Sequence, residues 1–500
     1  MTPVSHNPPA LRVHADDNVA IALQDLTEGH SFRIAGIGLT TREPVPTGHK
    51  FALEPISVGS PVIKYGQRIG RATAPIAPGE HVHTHNLGTA LAGEEEYARP
   101  AFTERSRAPG TAEPKWQGYW RADGRAATRN EIWILPSVGC VAPMAEAIAR
   151  EADSLHKGRV DAVVGFGHPH GCSQLGDDLS GTRALLAGLC DNPNAGGVLL
   201  MGLGCESNQL DALLAEVPER SRGKIRTLRA QDAGNEREAA LRLIAELAKE
   251  FGDAKREPLP VSALTVGLKC GGSDAFSGLT ANPLLGRFSD WIAGAGGRLV
   301  LTEIPEIFGA EHALLARATS EDVHQRAAAL LNRFKRYFLD QGLPVSENPS
   351  PGNIAGGITT LEEKSLGAVQ KAGNAPLADV IGYGQQASEP GVTLLEAPGN
   401  DAVSSTALAA AGATLVLFTT GRGTPLGFPV PTVKIASNSN LAASKRDWID
   451  FDAGRALSES TVGVDEAFRE LLMAVAGGQS TAAERLGQRA IAIWKRGVTL

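Results

Sequence analysis

Asp161-Ala162-Val163-Val164-Gly165-Phe166, followed by Gly167-His168-Pro169-His170-Gly171-Cys172-Ser173-Gln174-Leu175-Gly176-Asp177-Asp178, is the stretch that decides the fold. Its first part is a short apolar run that reads as a buried strand. Its second part places two histidines, a cysteine and two carboxylates directly after that strand. In an open α/β sheet, ligands bind outside the carboxyl ends of the strands. A metal or acid–base site is therefore expected here, with His168 and Cys172 as its first candidates.

The arrangement recurs on both sides. Glu131-Ile132-Trp133-Ile134-Leu135-Pro136 reads as a strand that ends at Cys140, with a helix over 142–155. Gly197-Val198-Leu199-Leu200-Met201-Gly202-Leu203 runs into Gly204-Cys205-Glu206, and a helix follows over about 236–251. Leu264-Thr265-Val266-Gly267-Leu268 runs into Lys269-Cys270-Gly271-Gly272-Ser273-Asp274. Strands alternating with helices predict parallel, doubly wound sheets. Four of the five cysteines, Cys140, Cys172, Cys205 and Cys270, then sit just after a strand and are expected along one sheet edge. Cys190 falls near a helix end and reads as a small packed hydrophobe.

Further on, Arg298-Leu299-Val300-Leu301 leads to two carboxylates, Glu303 and Glu306. An amphipathic helix or helix pair over 311–340 closes a first α/β region, placed at 118–342. A second, Rossmann-like α/β region is placed at 343–500. It opens with Asn348-Pro349-Ser350-Pro351-Gly352-Asn353 and Gly356-Gly357-Ile358-Thr359-Thr360, the latter a candidate anion cradle before a helix. Its strands end at Asn400, at Gly421-Arg422-Gly423-Thr424 and after Lys434. Arg422 with Lys434 reads as a clamp for a carboxylate or phosphate.

Residues 12–87 have short β-type segments between glycine and proline turns. They close on Gly79-Glu80-His81-Val82-His83-Thr84-His85, where period two would put all three histidines on one strand face. That spacing suits a divalent metal or an anionic substrate. Residues 88–117 lack periodicity and read as a linker, long enough for the small domain to dock on a neighbouring subunit. A homodimer or larger homo-oligomer is expected.

Composition narrows the classes. The 500 residues, 42% hydrophobic and 21% charged, are too many for one ordinary core. No apolar run reaches the roughly 18 residues a membrane helix needs. A net charge of −7 without a basic stripe argues against nucleic acid. The opening residues lack a signal-peptide layout, and the odd cysteine count shows no disulfide framework, so a reducing cytoplasm is expected. No glycine-rich nucleotide loop appears in its proper context. Thiols, histidines, carboxylates and lysines remain, a set suited to metal-assisted chemistry on a small polar anion. Elimination of water from a hydroxy acid is one such reaction. A base takes the weakly acidic proton beside the carboxylate, a cation holds the developing enediolate, and an acid helps hydroxide leave.

The chain resembles the altronate/galactarate dehydratase family. The resemblance rests on Gly48-His49-Lys50-Phe51-Ala52-Leu53, Gly79-Glu80-His81-Val82-His83, Ile134-Leu135-Pro136-Ser137-Val138-Gly139-Cys140, Gly171-Cys172-Ser173-Gln174-Leu175-Gly176-Asp177-Asp178, Cys270-Gly271-Gly272-Ser273-Asp274, Asn348-Pro349-Ser350-Pro351-Gly352-Asn353 and Thr420-Gly421-Arg422-Gly423-Thr424. Pro169-His170 departs from the family's pattern. The resemblance implies an amino-terminal β-clip domain of the SAF type and dehydration of D-altronate to 2-dehydro-3-deoxy-D-gluconate in hexuronate breakdown. It also implies activation by ferrous iron, with manganese as a substitute. His168, Cys172, Cys205 and Cys270 are then the candidate iron ligands, and an iron–sulfur cluster is the rival arrangement. Glu303 or Lys364 is the candidate base, beside His168. His49, His83, His85, Asn400, Arg422 and Lys434 are candidates for binding substrate. Galactarate dehydratase and sulfolactate sulfo-lyase are the neighbouring activities, and a non-catalytic sugar-acid binding protein is the more distant alternative.

Overall fold

Residues 8–98 and 114–500 are described by the structure, a computed structural model. The amino-terminal unit is made of short antiparallel strands. Ala10–Leu11, Val19–Ala22, Lys50–Ala52 and His81–Val82 form one sheet. Pro61–Lys64, Gln67–Ala72 and Leu87–Gly88 form another. Val62, Ile69, Val82 and Leu87 face inward and join the core of the large region. The expected linker is only partly a linker. Residues 88–98 are docked, with Ala90 N donating to Glu362 Oε1 at 2.6 Å and Arg336 Nη2 to Glu94 Oε2 at 2.6 Å. Lys115–Trp120 is already a strand. The remainder of the stretch, 99–113, lies outside the described residues.

The large region holds two parallel sheets. In the first, β1 (Glu131–Pro136), β2 (Val163–Gly165), β3 (Ala195–Gly202) and β4 (Ile225–Arg229) are ordered β2-β1-β3-β4. In the second, β5 (Thr265–Cys270), β6 (Arg298–Leu301), β7 (Leu377–Ile381), β8 (Gly391–Leu395), β9 (Leu415–Thr420), β10 (Thr432–Ala436) and β11 (Phe451–Asp452) are ordered β7-β8-β6-β5-β9-β10-β11. All pairings in both are parallel. Every residue of β1, β3, β5 and β9 is buried, which accounts for their continuous apolar runs. Helices α1 (Ala142–Leu155) and α2 (Gly176–Asp191) follow β1 and β2; α3 (Leu361–Ala368) precedes β7, and α4 (Asp401–Ala410) follows β8.

Two expectations are corrected by this topology. The border at 342/343 falls inside the seven-stranded sheet, because β5 and β6 pair with strands from beyond it. The sheets change over between β4 and β5 instead. The strand-end cysteines also divide. Cys140, Cys172 and Cys205 follow strands of the first sheet, whereas Cys270 ends a strand of the second. The two sheets meet near the amino ends of β1 and β9, where Thr128 Oγ1 donates to Thr414 O at 2.6 Å. The carboxyl ends of both lie away from that junction.

Candidate active site

The carboxyl ends of β5, β6 and β8 carry a buried network of acids and bases. Cys270 ends β5, and the left-handed backbone of Glu303 (φ 67°) ends β6. That conformation is costly for a non-glycine residue and is held by its surroundings. Lys269 Nζ donates to Glu303 Oε1, and to Asp401 Oδ1 at 2.8 Å. Cys270 N donates to Glu303 Oε2 at 3.0 Å. Lys371 Nζ donates to Cys270 Sγ at 2.8 Å and lies 3.3 Å from Glu303 Oε2. Cys270 Sγ donates to Glu306 Oε2 at 3.2 Å. Lys364 Nζ donates to Glu306 Oε1 at 2.8 Å and to Asn348 Oδ1 at 2.9 Å. A side chain at Gly271 would collide with the Asp401 carboxylate, so glycine is needed there for Asp401 to reach Lys269.

Three ammonium groups face three carboxylates, so the network is neutral with Cys270 as a thiol. Burial, helped by the Glu303 charge, pushes that thiol up to about 12. Glu306 is held down at about 2: burial opposes this, but Lys364 and Lys269 outweigh it. Lys364 is raised, its burial overcome by Glu306 and Cys270. It is therefore an ammonium, which suits an acid rather than the expected base. Glu303 is fully buried and positions its neighbours. Asp401, 39% exposed at its side chain, is the network's open end.

The other candidates are placed differently. His168 spends both ring nitrogens on backbone, Nε2 on Pro136 O at 2.7 Å and Nδ1 on His170 N at 3.2 Å. Burial pushes it down to about 4, so it is a neutral structural residue of the first sheet. It is neither metal ligand nor catalyst as placed. Lys434 donates to Thr424 O at 3.0 Å and to Leu426 O, pinning the loop rather than clamping an anion. Asn400 caps α4 through Oδ1, which accepts from Ala402 N and Val403 N at 3.1 Å. The anion cradle at Thr359 and Thr360 is filled from within. Glu363 Oε2 accepts from Thr359 N at 2.9 Å and from Lys50 Nζ at 2.9 Å, and Oε1 accepts from Lys64 Nζ at 2.7 Å. Arg422 remains exposed on the rim, its N donating to Gly272 O at 3.0 Å.

The histidines gather although their strand spans only His81–Val82 and the chain then turns. His49 and His83 stack at 4.8 Å between ring centroids, and His49 Nδ1 lies 3.0 Å from His81 Nε2. His83 Nε2 reaches Ile354 O at 3.1 Å and His49 Nε2 reaches Ala355 O at 3.5 Å. The cluster thus grips the short helix Pro351–Ala355 just after Asn348, whose own side chain meets Lys364. His85 joins Glu43 and Glu80 instead, in one of two places among the described residues where three donor atoms of metal-binding type lie within 4.8 Å. The other is Cys270 with Glu303 and Glu306.

Comparison with known proteins agrees along the whole chain. Three family descriptions match: the altronate/galactarate dehydratase SAF domain over 8–90, the second domain of D-galactarate dehydratase/altronate hydrolase over 118–252, and the carboxyl-terminal D-galactarate/altronate dehydratase domain over 261–499. An altronate dehydratase of Escherichia coli (strain K12) is 47% identical over 494 residues, 98% of this chain and 99% of that protein. One from Bacillus subtilis (strain 168) is 46% identical over 499 residues, again 98% and 99%. The galactarate dehydratase (L-threo-forming) of Escherichia coli (strain K12) is 33% identical over 470 residues, 90% of this chain and 89% of that protein. The chain belongs to the altronate/galactarate dehydratase family.

Within this dehydratase-family chain, the SAF domain does more than adjoin the catalytic region. Its fully buried Lys50 and Lys64 both end on Glu363 of α3. Neither lysine pointed to burial in the sequence, since lysine is rarely buried without a partner. Nor does the sequence mark Lys371. It follows α3 in a short turn with no motif around it, and only the tertiary fold brings it to Cys270. Asp401, beside Asn400, lies within the same strand-end pattern, and only the tertiary fold sets its contact with Lys269 apart from its neighbour's helix cap.

Proposed function

We propose that this chain is an altronate dehydratase, removing water from D-altronate to give 2-dehydro-3-deoxy-D-gluconate in hexuronate breakdown. The carrying observation is full-length similarity at 46% and 47% identity to two altronate dehydratases, against 33% to a galactarate dehydratase. The network at the carboxyl ends of the seven-stranded sheet supports the reaction type. Asp401, oriented by the Lys269 ammonium, takes the proton beside the substrate carboxylate. Lys364, charged beside Glu306, steadies the developing negative charge and gives a proton to the departing hydroxide. Arg422 on the rim meets the substrate carboxylate. The enol so formed rearranges to the 2-keto product. The reading places the enzyme in the cytoplasm, where free thiols persist.

Ferrous iron, or manganese in its place, belongs to this reading as the activating ion, but the acid network does not fit a divalent cation. Its carboxylates are already neutralised by Lys269, Lys364 and Lys371, and Cys270 is a thiol rather than a thiolate. A divalent ion would face three ammonium groups at once. The test of function is anaerobic turnover of altronate, galactarate and sulfolactate with added ferrous iron, following keto acid or sulfite. Preferred formation of keto acid from altronate is expected. Turnover of galactarate or sulfolactate in preference would replace the substrate, and silence on all three would favour a sugar-acid binding protein.

A further inference from the structure

We propose that a cavity at the amino ends of the two parallel sheets binds a small organic oxyanion, a phosphate or carboxylate on a body with an apolar face, away from the candidate active site. The cavity measures about 420 Å³. Small-molecule sites run from about 300 to 1,000 Å³ and favour domain interfaces. Both α/β units build this one. Arg125 and Arg220 lead into β1 and β4 of the first sheet; Arg298 opens β6, and Ser388 and Gly412 lead into β8 and β9 of the second. Arg298 pairs with Thr265, the first residue of β5. From there β5 runs to Cys270 at its other end, about 17 Å away at about 3.3 Å per residue. The cavity is thus separate from the acid network at the carboxyl ends.

Its cations are not all balanced. Arg125 and Arg220 share the buried Asp191: Arg125 Nη1 donates to Asp191 Oδ2 at 3.0 Å, and Arg220 Nη2 donates to the same oxygen at 2.6 Å. Asp123 lies 2.6 Å from Arg125 Nη2 and completes the balance. These two arginines are neutralised and fixed in place. Arg298 is different. Its Nε donates to Ser388 O at 2.8 Å, and among the described residues no carboxylate pairs with it. Behind the cavity wall, Arg121 Nε donates to Pro193 O at 2.7 Å, and its other nitrogens end on Asn130 Oδ1 and Arg129 O, all neutral acceptors. Lys224 likewise ends on two carbonyls, Asn192 O and Ala195 O, each at 2.8 Å. Burial, joined by the Arg121 and Arg125 charges, pushes Lys224 down to about 7, which reflects the surplus of positive charge here.

These features define the ligand. A guanidinium fork grips carboxylate and phosphate oxygens in pairs, so the carboxylate that Arg298 lacks is supplied by a bound oxyanion. The net charge of the chain is −7, so a basic cavity is a local feature rather than a property of the whole surface. Trp120 sets the rest of the molecule. It ends the strand Lys115–Trp120, is held by pairing with Ala126, lines the cavity and is 43% exposed. An indole carries a large apolar face that gains by being covered. A bare inorganic anion leaves that face in water, whereas an organic body seated beside Arg298 covers it.

The full chain is titrated in a calorimeter with glucose 6-phosphate, gluconate and inorganic phosphate. Glucose 6-phosphate, gluconate or both should bind once per chain, and the tighter of the two identifies the oxyanion as phosphate or carboxylate. Inorganic phosphate should bind at least about tenfold more weakly. Arg298→Gln should weaken the organic probe by about 10- to 100-fold, as loss of a hydrogen bond to a charged group does. Trp120→Ala, at an exposed side chain, should weaken it by about 3- to 10-fold and leave inorganic phosphate unchanged. Asp401→Asn and Arg422→Gln should bind the probe as the parent does, which separates the cavity from the candidate active site. No binding of any probe at millimolar concentration, binding unchanged in both Arg298→Gln and Trp120→Ala, or binding lost in Arg422→Gln or Asp401→Asn would overturn the site. Inorganic phosphate bound as tightly as the organic probes would overturn the role of Trp120 and the organic class of the ligand.

Discussion

Lys371 shows how much a single residue carries in this network. Its ammonium touches both the Cys270 sulfur and Glu303. Replacing it by methionine strands a buried carboxylate with Lys269 alone. Removing one partner of a buried ion pair costs about 3–5 kcal/mol, so Lys371→Met should lower the urea midpoint of unfolding accordingly; an unchanged midpoint would show that the pair is not formed. Asp401→Asn tests a different property. Its carboxylate is half open, so the fold should persist while kcat falls by about 10²- to 10⁴-fold, as loss of a general base does. At this scale the sequence was informative about residue type and less so about role. Glu303 and Lys364 were picked out by their place after a strand or at a helix start, and both lie in the network. His168 had equal claim by position, but burial and two backbone hydrogen bonds made it structural. Nothing in a linear pattern distinguishes those outcomes, because they depend on which atoms the neighbouring strands present.

Elements were read more securely than their ends. The runs 131–136, 298–301 and 432–435 appear as strands, buried on both sheet faces except at Arg298, which accounts for their mainly apolar composition. The helices at 142–155 and 236–251 follow from their spacing. The start of α3 is the instructive case. Thr360 caps it by accepting from Glu363 N, as its sequence suggests, but the anion it prepares for is the helix's own Glu363. Lys50 and Lys64 reach that carboxylate from the SAF domain, so an apparent ligand cradle is a domain joint. Glu363→Gln leaves two buried lysines facing a neutral amide. It should cost about 3–5 kcal/mol in urea unfolding, and loosened docking should appear as faster proteolysis around residue 88. A variant as stable as the parent would contradict the joint.

Across the whole molecule, the SAF domain, the first sheet and the seven-stranded sheet meet through polar joints as well as apolar core, and this gives stability a definite pH dependence. His81 is pushed down to about 3 and His83 and His168 to about 4, in each case chiefly by burial. An unfolded histidine titrates near 6.5. Between those values the unfolded chain binds more protons than the folded one, so stability rises with pH and is lost on acidification from about 6.5 toward 4. The urea midpoint should therefore fall between pH 7 and pH 5, and His81→Gln with His83→Gln should flatten the fall; a flat profile in the parent would contradict the buried, neutral imidazoles. The border expected at 342/343 failed at this scale. Sequence order suggested two consecutive α/β units, but β5 and β6 pair with strands much later in the chain, which no local pattern encodes.

The most direct measurement is kcat/KM for altronate in Lys364→Met against the parent, with thermal melting recorded for both. Lys364 sits where the acid network meets the segment that the SAF histidines hold, through Asn348 just before the helix Pro351–Ala355. If the carboxyl ends of the seven-stranded sheet are the reaction centre, kcat/KM should fall by about 10²- to 10⁴-fold at a temperature where melting shows the variant still folded, although stranding buried Glu306 lowers its melting point. A ratio within threefold of the parent, about 0.7 kcal/mol or less of transition-state stabilisation, would place the chemistry elsewhere.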